Sequence, residues 1–248
     1  MQLISLRSIL PLLLGLGLWQ VAVIALNMPS FILPGPVAVA EELWQSRALL
    51  AYHTAITVSE IALGLMLGTA LGWLSAIFLA LSPAAARSVR PLLVFSQAIP
   101  VFALAPIFTL WFGYGLGSKI AVALLIIYFP VTSAFFDALI TTPPAWIAQA
   151  RIMGASEIQI MRRVRIPAAL PGLLTGLRLA AVYAPIGVII GEWVGASQGL
   201  GYLMLLANGR AKIDLMFAAV IVIATLTITL HLVVDAIADR LIMRGRGK

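Results

Sequence analysis

Long apolar runs separated by short polar intervals dominate this chain. No charged residue occurs between Arg7 and Glu41, between Glu60 and Arg87, or between Arg90 and Lys119. Because about 20 apolar residues cross a bilayer as a helix, this pattern predicts about six transmembrane helices. They cover residues 9–26, 57–79, 92–112, 120–136, 170–190 and 215–234.

Three further stretches are open to more than one interpretation. Residues 9–26 could be a cleavable signal peptide with Arg7 at its basic start, but the run exceeds the roughly 7 to 15 apolar residues of such signals. Residues 37–50 have apolar positions at helical spacing and predict an interfacial helix. Residues 191–204 combine glycines with aromatic residues, which favours a re-entrant or outer surface segment.

Small residues mark a packing face in the second predicted span. Gly64, Gly68 and Gly72 recur at every fourth position and form one smooth helical face. Such a face allows a neighbouring helix to approach closely. We expect packing within the chain rather than a dimer seam.

Prolines mark the third predicted span as a candidate wall of a translocation path. Backbone carbonyls freed by proline inside a membrane are tolerated where neighbours or water satisfy them. The alternative is a helix that is merely kinked. Six residues lie in or near spans three and five and are, by position alone, candidates for contact with a solute. They are Gln97, Pro100, Pro106, Thr109, Tyr183 and Glu192.

Composition supports a membrane protein and excludes several classes of site. The chain is 62% hydrophobic and 10% charged, whereas soluble domains are about a quarter charged. The net charge of +7 comes from short basic groups without interleaved aromatic residues, so we expect no nucleic-acid partner. The absence of cysteine excludes disulfides and thiolate metal sites, and no other pattern predicts a bound metal.

The basic residues also predict the orientation. With both termini inside, eleven of the sixteen Lys and Arg residues fall on the inner side and four on the outer side, Lys119 among the latter. This bias is typical of cytoplasmic loops. Arg178 remains within span five, where we expect it to reach the cytoplasmic edge or, alternatively, to pair inside the bundle.

The longest polar interval, residues 142–171, predicts two short helices that meet near Gly154. Thr142 followed by Pro143 is typical of an N-cap and first helical turn, and Ser156 with Gln159 forms a capping box. Gly154 can adopt a backbone conformation that other residues avoid. Four arginines lie in this interval against one acid, Glu157.

No motif of an enzyme or of an internal energy source is present. The sequence has no phosphate-binding loop of the G-x-x-x-x-G-K-[ST] type, no H-E-x-x-H and no G-x-S-x-G. We therefore expect no catalytic residue, and a transporter built from this chain would take energy from a partner or from an ion gradient.

The polar interval resembles the cytoplasmic loop of binding-protein-dependent ABC importer permeases, with its pattern E-A-A-x3-G-x9-I-x-L-P. Ala148 stands where that pattern has glutamate, and the other positions are in register. The likeness continues at residues 33–36, 99–106, 111–113 and 199–202, which resemble the nitrate, sulfonate and taurine branch, and residues 191–204 look most like permeases for thiamine pyrimidine precursors. The resemblance assigns ATPase coupling to Ala148, Gln149, Ala150, Arg151, Gly154, Ala155, Ser156, Val164, Ile166 and Pro167.

The resemblance implies an all-α permease of six transmembrane helices and two short cytoplasmic coupling helices. It forms a single domain over residues 1–248, with a core at 50–240 and a coupling loop at 137–169. The implied partners are two copies of a cytoplasmic ATPase that carries ATP and Mg²⁺, a second permease that we expect to be identical, and a periplasmic or lipid-anchored binding protein. The chain itself would bind no cofactor and would lie in the bacterial inner membrane among its lipids. The alternative function is a stand-alone secondary transporter, for which an inverted repeat and a buried ionisable pair near the midplane would be expected.

Overall fold

A computed structural model describes residues 6–246, and within this range the chain is helical without strands. The long apolar runs favour this outcome, because a helix satisfies its own backbone polar groups in an apolar environment. The helices are α1 Leu6–Ala25, α2 Pro36–Gln45, α3 Arg47–Leu81, α4 Pro83–Ala98, α5 Val101–Phe112, α6 Leu116–Ile140, α7 Pro144–Ile152, α8 Glu157–Ile160, α9 Ile166–Gly195, α10 Leu200–Gly209 and α11 Ile213–Arg246. A π-helical turn, Met161–Arg165, joins α8 to α9.

Four of the described helical segments are long and apolar enough to cross a membrane. They are Arg47–Leu81, Leu116–Ile140, Glu157–Gly195 and Ile213–Met243. Helices α4 and α5 count as a fifth only if they form one broken span. The first predicted span, residues 9–26, corresponds to α1. The described residues therefore give four or five spans by length and composition, where the sequence pattern predicted about six.

The helix predicted over residues 92–112 is broken, not merely kinked. The axes of α4 and α5 differ by 100°, and the change of direction falls at Ile99 and Pro100. Pro100 has no backbone N–H and disfavours helical geometry in the residue before it. Ile99 accordingly has extended backbone angles, whereas Pro106 is accommodated inside α5.

The chain divides into two compact units. One comprises the described parts of residues 1–56 and 198–224, and the other comprises residues 57–197 and the described part of 225–248. In the first unit, the indole of Trp19 donates to the Pro34 carbonyl at 3.0 Å and stacks on Phe217. In the same unit, the Gly199 N–H donates to Nδ1 of His53 at 3.0 Å.

The second unit is built on the contact of α6 with α3 and α9. Its centre is formed by small and branched side chains: Ile61, Ala123, Ile127, Val131, Ala180, Ala184 and Val188. A Cβ added at Gly68 would lie 2.5 Å from Ile127, and one added at Gly176 would lie 2.7 Å from the Pro130 carbonyl oxygen. Glycine on both α3 and α9 therefore lets these helices approach α6 more closely than any side chain would permit. Gly64 and Gly72 also face α6, so the glycine face of α3 is used within the chain.

Candidate functional site

The turn after α7 is a complete Schellman motif. The Ala155 N–H donates to the Ala150 carbonyl at 3.0 Å, and the Gly154 N–H donates to the Arg151 carbonyl at 2.9 Å. This pair of bonds requires a left-handed residue after the helix, and Gly154 has φ = +80°. Any other residue at Gly154 would adopt this conformation at a cost in backbone strain. The direction in which the chain leaves α7 is therefore determined by a glycine.

The start of α8 has the capping box that the sequence predicts. The Ser156 side chain accepts from the Gln159 N–H, and the Gln159 side chain accepts from the Ser156 N–H at 2.8 Å. Arg151 pairs across the turn with Glu157 at 2.8 Å. Both charged side chains are more than half exposed, so the ion pair adds little stability. The pair bridges the end of α7 and the start of α8.

The predicted cap at the start of α7 is wrong. Thr142 does not cap the helix, because its hydroxyl donates to the Leu139 carbonyl of α6 at 3.0 Å. Pro143 takes the N-cap position without a side-chain bond. Thr142 is only 4% exposed, and a buried hydroxyl next to a free helical carbonyl bonds locally.

The second short helix of the loop is the beginning of a membrane-length helix. Helix α8, the π turn and α9 form one continuous segment, Glu157–Gly195, of 39 residues. The π turn inserts an extra residue without ending the helix. Its Met161 is buried against Phe135 and Leu139 of α6. The predicted pair of separate coupling helices is therefore one separate helix, α7, and one extension of α9.

Several large apolar side chains on the α7–α8 platform, residues 144–160, are exposed. Ile152 is 88% exposed and Met153 is 79% exposed, although both lie in the most polar interval of the sequence. Trp146 and Ile158 are also more than half exposed. Large exposed apolar side chains grouped in this way are typical of a protein interface.

The two parts of the ABC importer pattern, residues 148–154 and 164–167, lie next to each other in the structure. A cleft of 380 Å³ lies between α7 and the start of α9, lined by Gln149, Ala150, Val164 and Pro167 among others. A neighbouring cleft of 400 Å³ includes Gly154 and Ala155 together with Val164. Ile166 lies apart from both clefts and packs towards the α3–α6 core. Ala148, where the pattern has an acid, is exposed on α7.

A second candidate site is a cavity of 780 Å³ beside the break between α4 and α5. Three of the residues that the sequence marks as solute contacts, Gln97, Pro100 and Tyr183, line it. The other lining residues are Val101, Phe102, Ile126, Phe129, Pro130, Ser133, Ala134, Asp137, Leu179, Ile186 and Ile190. Sequence reasoning missed the contribution of α6, whose only signal is Pro130 within an apolar run.

The remaining predicted solute contacts lie elsewhere. Pro106 is exposed on α5. Thr109 is buried, and its hydroxyl donates to the Ala105 carbonyl at 3.1 Å where Gly195 of α9 packs against it. Glu192 is 1% exposed and accepts from the Thr57 hydroxyl at 2.7 Å. None of these three residues lines the cavity beside the break.

Several ion pairs join distant parts of the sequence and were not predicted as specific contacts. Lys119 donates to Glu60 at 2.6 Å, and the two side chains are 8% and 3% exposed. Lys119 belongs to the first turn of α6 and not to a loop. Arg178 of α9 pairs with Asp235 and Asp239, which lie one turn apart on α11. Arg178 therefore pairs with a neighbouring helix, and the pairs are partly exposed and lie just beyond the sixth predicted span, residues 215–234.

Comparison with known proteins identifies the family. The family described as "Binding-protein-dependent transport system inner membrane component" matches residues 68–246. The chain belongs to this family of ABC importer permeases. A probable ABC transporter permease protein of Haemophilus influenzae is 46% identical over 241 residues, which cover 96% of this chain and 98% of the relative.

This permease is also similar to a second named permease in sequence and to a solved transporter chain in fold. The formylaminopyrimidine transport permease protein ThiX of Halalkalibacterium halodurans is 39% identical over 199 residues, covering 80% of this chain and 79% of ThiX. The fold is similar to that of a chain in the MetNI methionine ABC transporter, solved in inward-facing conformations. That likeness has a TM-score of 0.62 and 21% identity, and it covers 80% of this chain and 96% of the MetNI chain. The permease is thus a transport component and not a member of an enzyme family.

Proposed function

We propose that this permease couples ATP hydrolysis on a separate cytoplasmic ATPase to solute import, and that the α7–α8 platform is the contact with that ATPase. The observation that carries the proposal is the group of apolar side chains exposed on α7 and at the Gly154 turn. Ile152 and Met153 would be costly to leave in water and fit an apolar cleft on a partner. The register of the ABC importer pattern around Gly154 supports the same contact.

The continuous helix from Glu157 to Gly195 supplies the mechanical step. A movement of the platform passes to α9 without an intervening loop, because α8, the π turn and α9 share one helical segment. Met161 and Ala169 are packed in the α3–α6 core. When the two ATPases close on ATP and Mg²⁺, the platform would be displaced and α9 would tilt with it. The loop acts as a lever and performs no chemistry itself.

The proposed assembly contains two permeases, two ATPases and an external binding protein. The permease is proposed to lie in the inner membrane with both termini in the cytoplasm. This orientation agrees with the excess of basic residues that it places on the cytoplasmic side. The second permease is proposed to be an identical copy. Membrane lipid surrounds the apolar faces of the spans.

Two solute classes follow from the likenesses of the sequence. A thiamine pyrimidine precursor is supported by residues 191–204 and by the relation to ThiX. A sulfonate, taurine or nitrate anion is supported by the patterns at residues 33–36 and 99–106. For either class, the route would pass the 780 Å³ cavity beside the α4–α5 break.

The buried pair Glu60–Lys119 is the one observation that favours a stand-alone secondary transporter. Such transporters place ionisable groups near the middle of the membrane. Lys119, however, is in the first turn of α6, so the pair lies at the end of that helix. A role in joining α3 to α6 fits this position better than a proton relay.

Reconstitution tests the proposal. Liposomes that contain only this permease should show neither ATP hydrolysis nor solute uptake under an ion gradient. Addition of the ATPase and the binding protein encoded in adjacent reading frames should produce ATP-dependent uptake. Gradient-driven uptake by the permease alone would contradict the proposal and establish secondary transport.

A further inference from the structure

Aromatic side chains from three elements line the cavity beside the α4–α5 break. Phe102 comes from α5, Phe129 from α6 and Tyr183 from α9. The cavity volume of 780 Å³ is within the usual range of about 300 to 1,000 Å³ for small-molecule sites. Gln97 and Ser133 add hydrogen-bonding groups to a wall that is otherwise mostly apolar. This combination fits a flat ring with polar edges.

The charge of the wall argues against an anion. No lysine or arginine is among the residues that line the cavity, all of which lie in the described range 6–246. The one acidic side chain among the lining residues is Asp137. The guanidinium of Arg90 is paired with Asp137 at 2.9 Å, and Arg90 is not among the residues that line the cavity. A sulfonate or nitrate would enter an apolar cavity without a cation to replace its water, which costs free energy.

The backbone next to the cavity offers polar groups that a regular helix would hide. Ile99 and Pro100 separate α4 from α5, and the helix axes differ there by 100°. Pro130 in α6 has no N–H, so the Ile126 carbonyl lacks its usual helical donor. Irregular backbone at membrane depth is tolerated where it lines a cavity. An uncharged solute with N–H and ring-nitrogen groups can use such carbonyls and amides.

We propose that this cavity is a binding site for an uncharged, planar nitrogen heterocycle, held between Phe102, Phe129 and Tyr183, and that it discriminates against small anions. This inference rests on the proposed import function and selects one of its two solute classes. Ring stacking supplies the affinity, and Gln97 and Ser133 orient the polar edge. The permease thereby checks the solute after the binding protein has released it.

Ligand-observed NMR on the permease in lipid nanodiscs tests this inference. The probes are uncharged formylaminopyrimidine and, separately, methanesulfonate. Saturation transfer should appear on the pyrimidine ring protons and be absent for methanesulfonate. Tyr183→Ala should raise the Kd of the pyrimidine about tenfold, as expected for the loss of one stacking partner. Tyr183→Phe should keep binding within about twofold of wild type, because the ring remains.

Two further variants separate this inference from a general effect on folding. Tyr114→Ala removes a tyrosine that is 87% exposed and does not line the cavity, so it should bind the pyrimidine as wild type does. Ser133→Lys places a cation on the wall and should create binding of methanesulfonate. The inference is overturned if wild type does not bind the pyrimidine, if methanesulfonate binds wild type equally well, or if Tyr183→Ala binds as wild type does. ATPase association, measured on the same preparation, reports on the proposed import function independently.

Discussion

Lys119 Nζ lies 2.6 Å from Glu60 Oε1, and both side chains are almost completely buried. The pair joins the first turn of α6 to the middle part of α3, 59 positions away in the sequence. Gly191 of α9 completes the enclosure, because a Cβ there would lie 2.9 Å from the Lys119 Cα. Three helices of the second unit therefore meet at one charge pair.

Removal of one partner of this pair should destabilise the permease more than removal of both. Glu60→Gln or Lys119→Met would leave one buried charge uncompensated, a change that costs about 3 to 5 kcal/mol in soluble proteins. The double variant has no such charge and should unfold at a temperature between those of wild type and the single variants. Thermal unfolding in detergent measures this order. Single variants as stable as an Arg210→Met control, which changes an exposed arginine, would show that the pair contributes nothing.

Replacement of Arg178 should destabilise the permease more than replacement of either of its two aspartate partners. Asp235 and Asp239 both contact its guanidinium, and each is 42% or more exposed, so the free energy of each contact is about 1 kcal/mol or less. Asp239→Asn leaves one ion pair, whereas Arg178→Ala leaves two like charges one turn apart on α11. Unfolding temperatures at low and high salt measure the difference. Equal stability of Arg178→Ala and Asp239→Asn at low salt would refute this arrangement.

The π turn should set the rotation of the α7–α8 platform relative to α9. Deletion of Arg162 would convert the turn to α-helix and rotate the preceding residues by about 100° around the helix axis. We expect the deletion variant to insert in the membrane and to lose ATP-driven uptake in the reconstituted complex. Arg162→Ala keeps the residue count and should retain uptake. If the deletion variant transports as well as Arg162→Ala, the register of this turn has no role in coupling.

Local features of the platform could be predicted from the sequence. The capping box of Ser156 and Gln159 and the left-handed Gly154 involve residues within a few positions of one another, so residue type and spacing are sufficient. Thr142 shows the limit of such rules. Its hydroxyl could accept from a backbone N–H of α7 as an N-cap or donate to a carbonyl of the preceding helix, and it donates to the Leu139 carbonyl. The π turn has no comparable sequence signature and was missed.

Contacts between distant segments could not be predicted in the same way. Arg178 and Asp239 are 61 positions apart, and nothing in either neighbourhood indicates the other. Pro100 and Pro106 are equally helix-disrupting by type, yet only Pro100 coincides with the 100° break, whereas α5 continues through Pro106. The cavity depends on this break. The contribution of α6 to the cavity could therefore not be predicted from the sequence. Gln97, Pro100 and Tyr183 were predicted only from their position in the predicted spans.

The contact between the Gly154 turn and the ATPase is the centre of this account, and co-purification tests it most directly. Gly154→Trp and Gly113→Trp both place a large side chain at an exposed glycine with positive φ; Gly113 precedes α6, and Gly154 follows α7. The ATPase encoded beside this permease should co-purify with wild type and with Gly113→Trp. It should be lost from Gly154→Trp while the variant remains inserted in the membrane. Recovery of the ATPase with Gly154→Trp at the wild-type ratio, together with normal transport, would contradict the account.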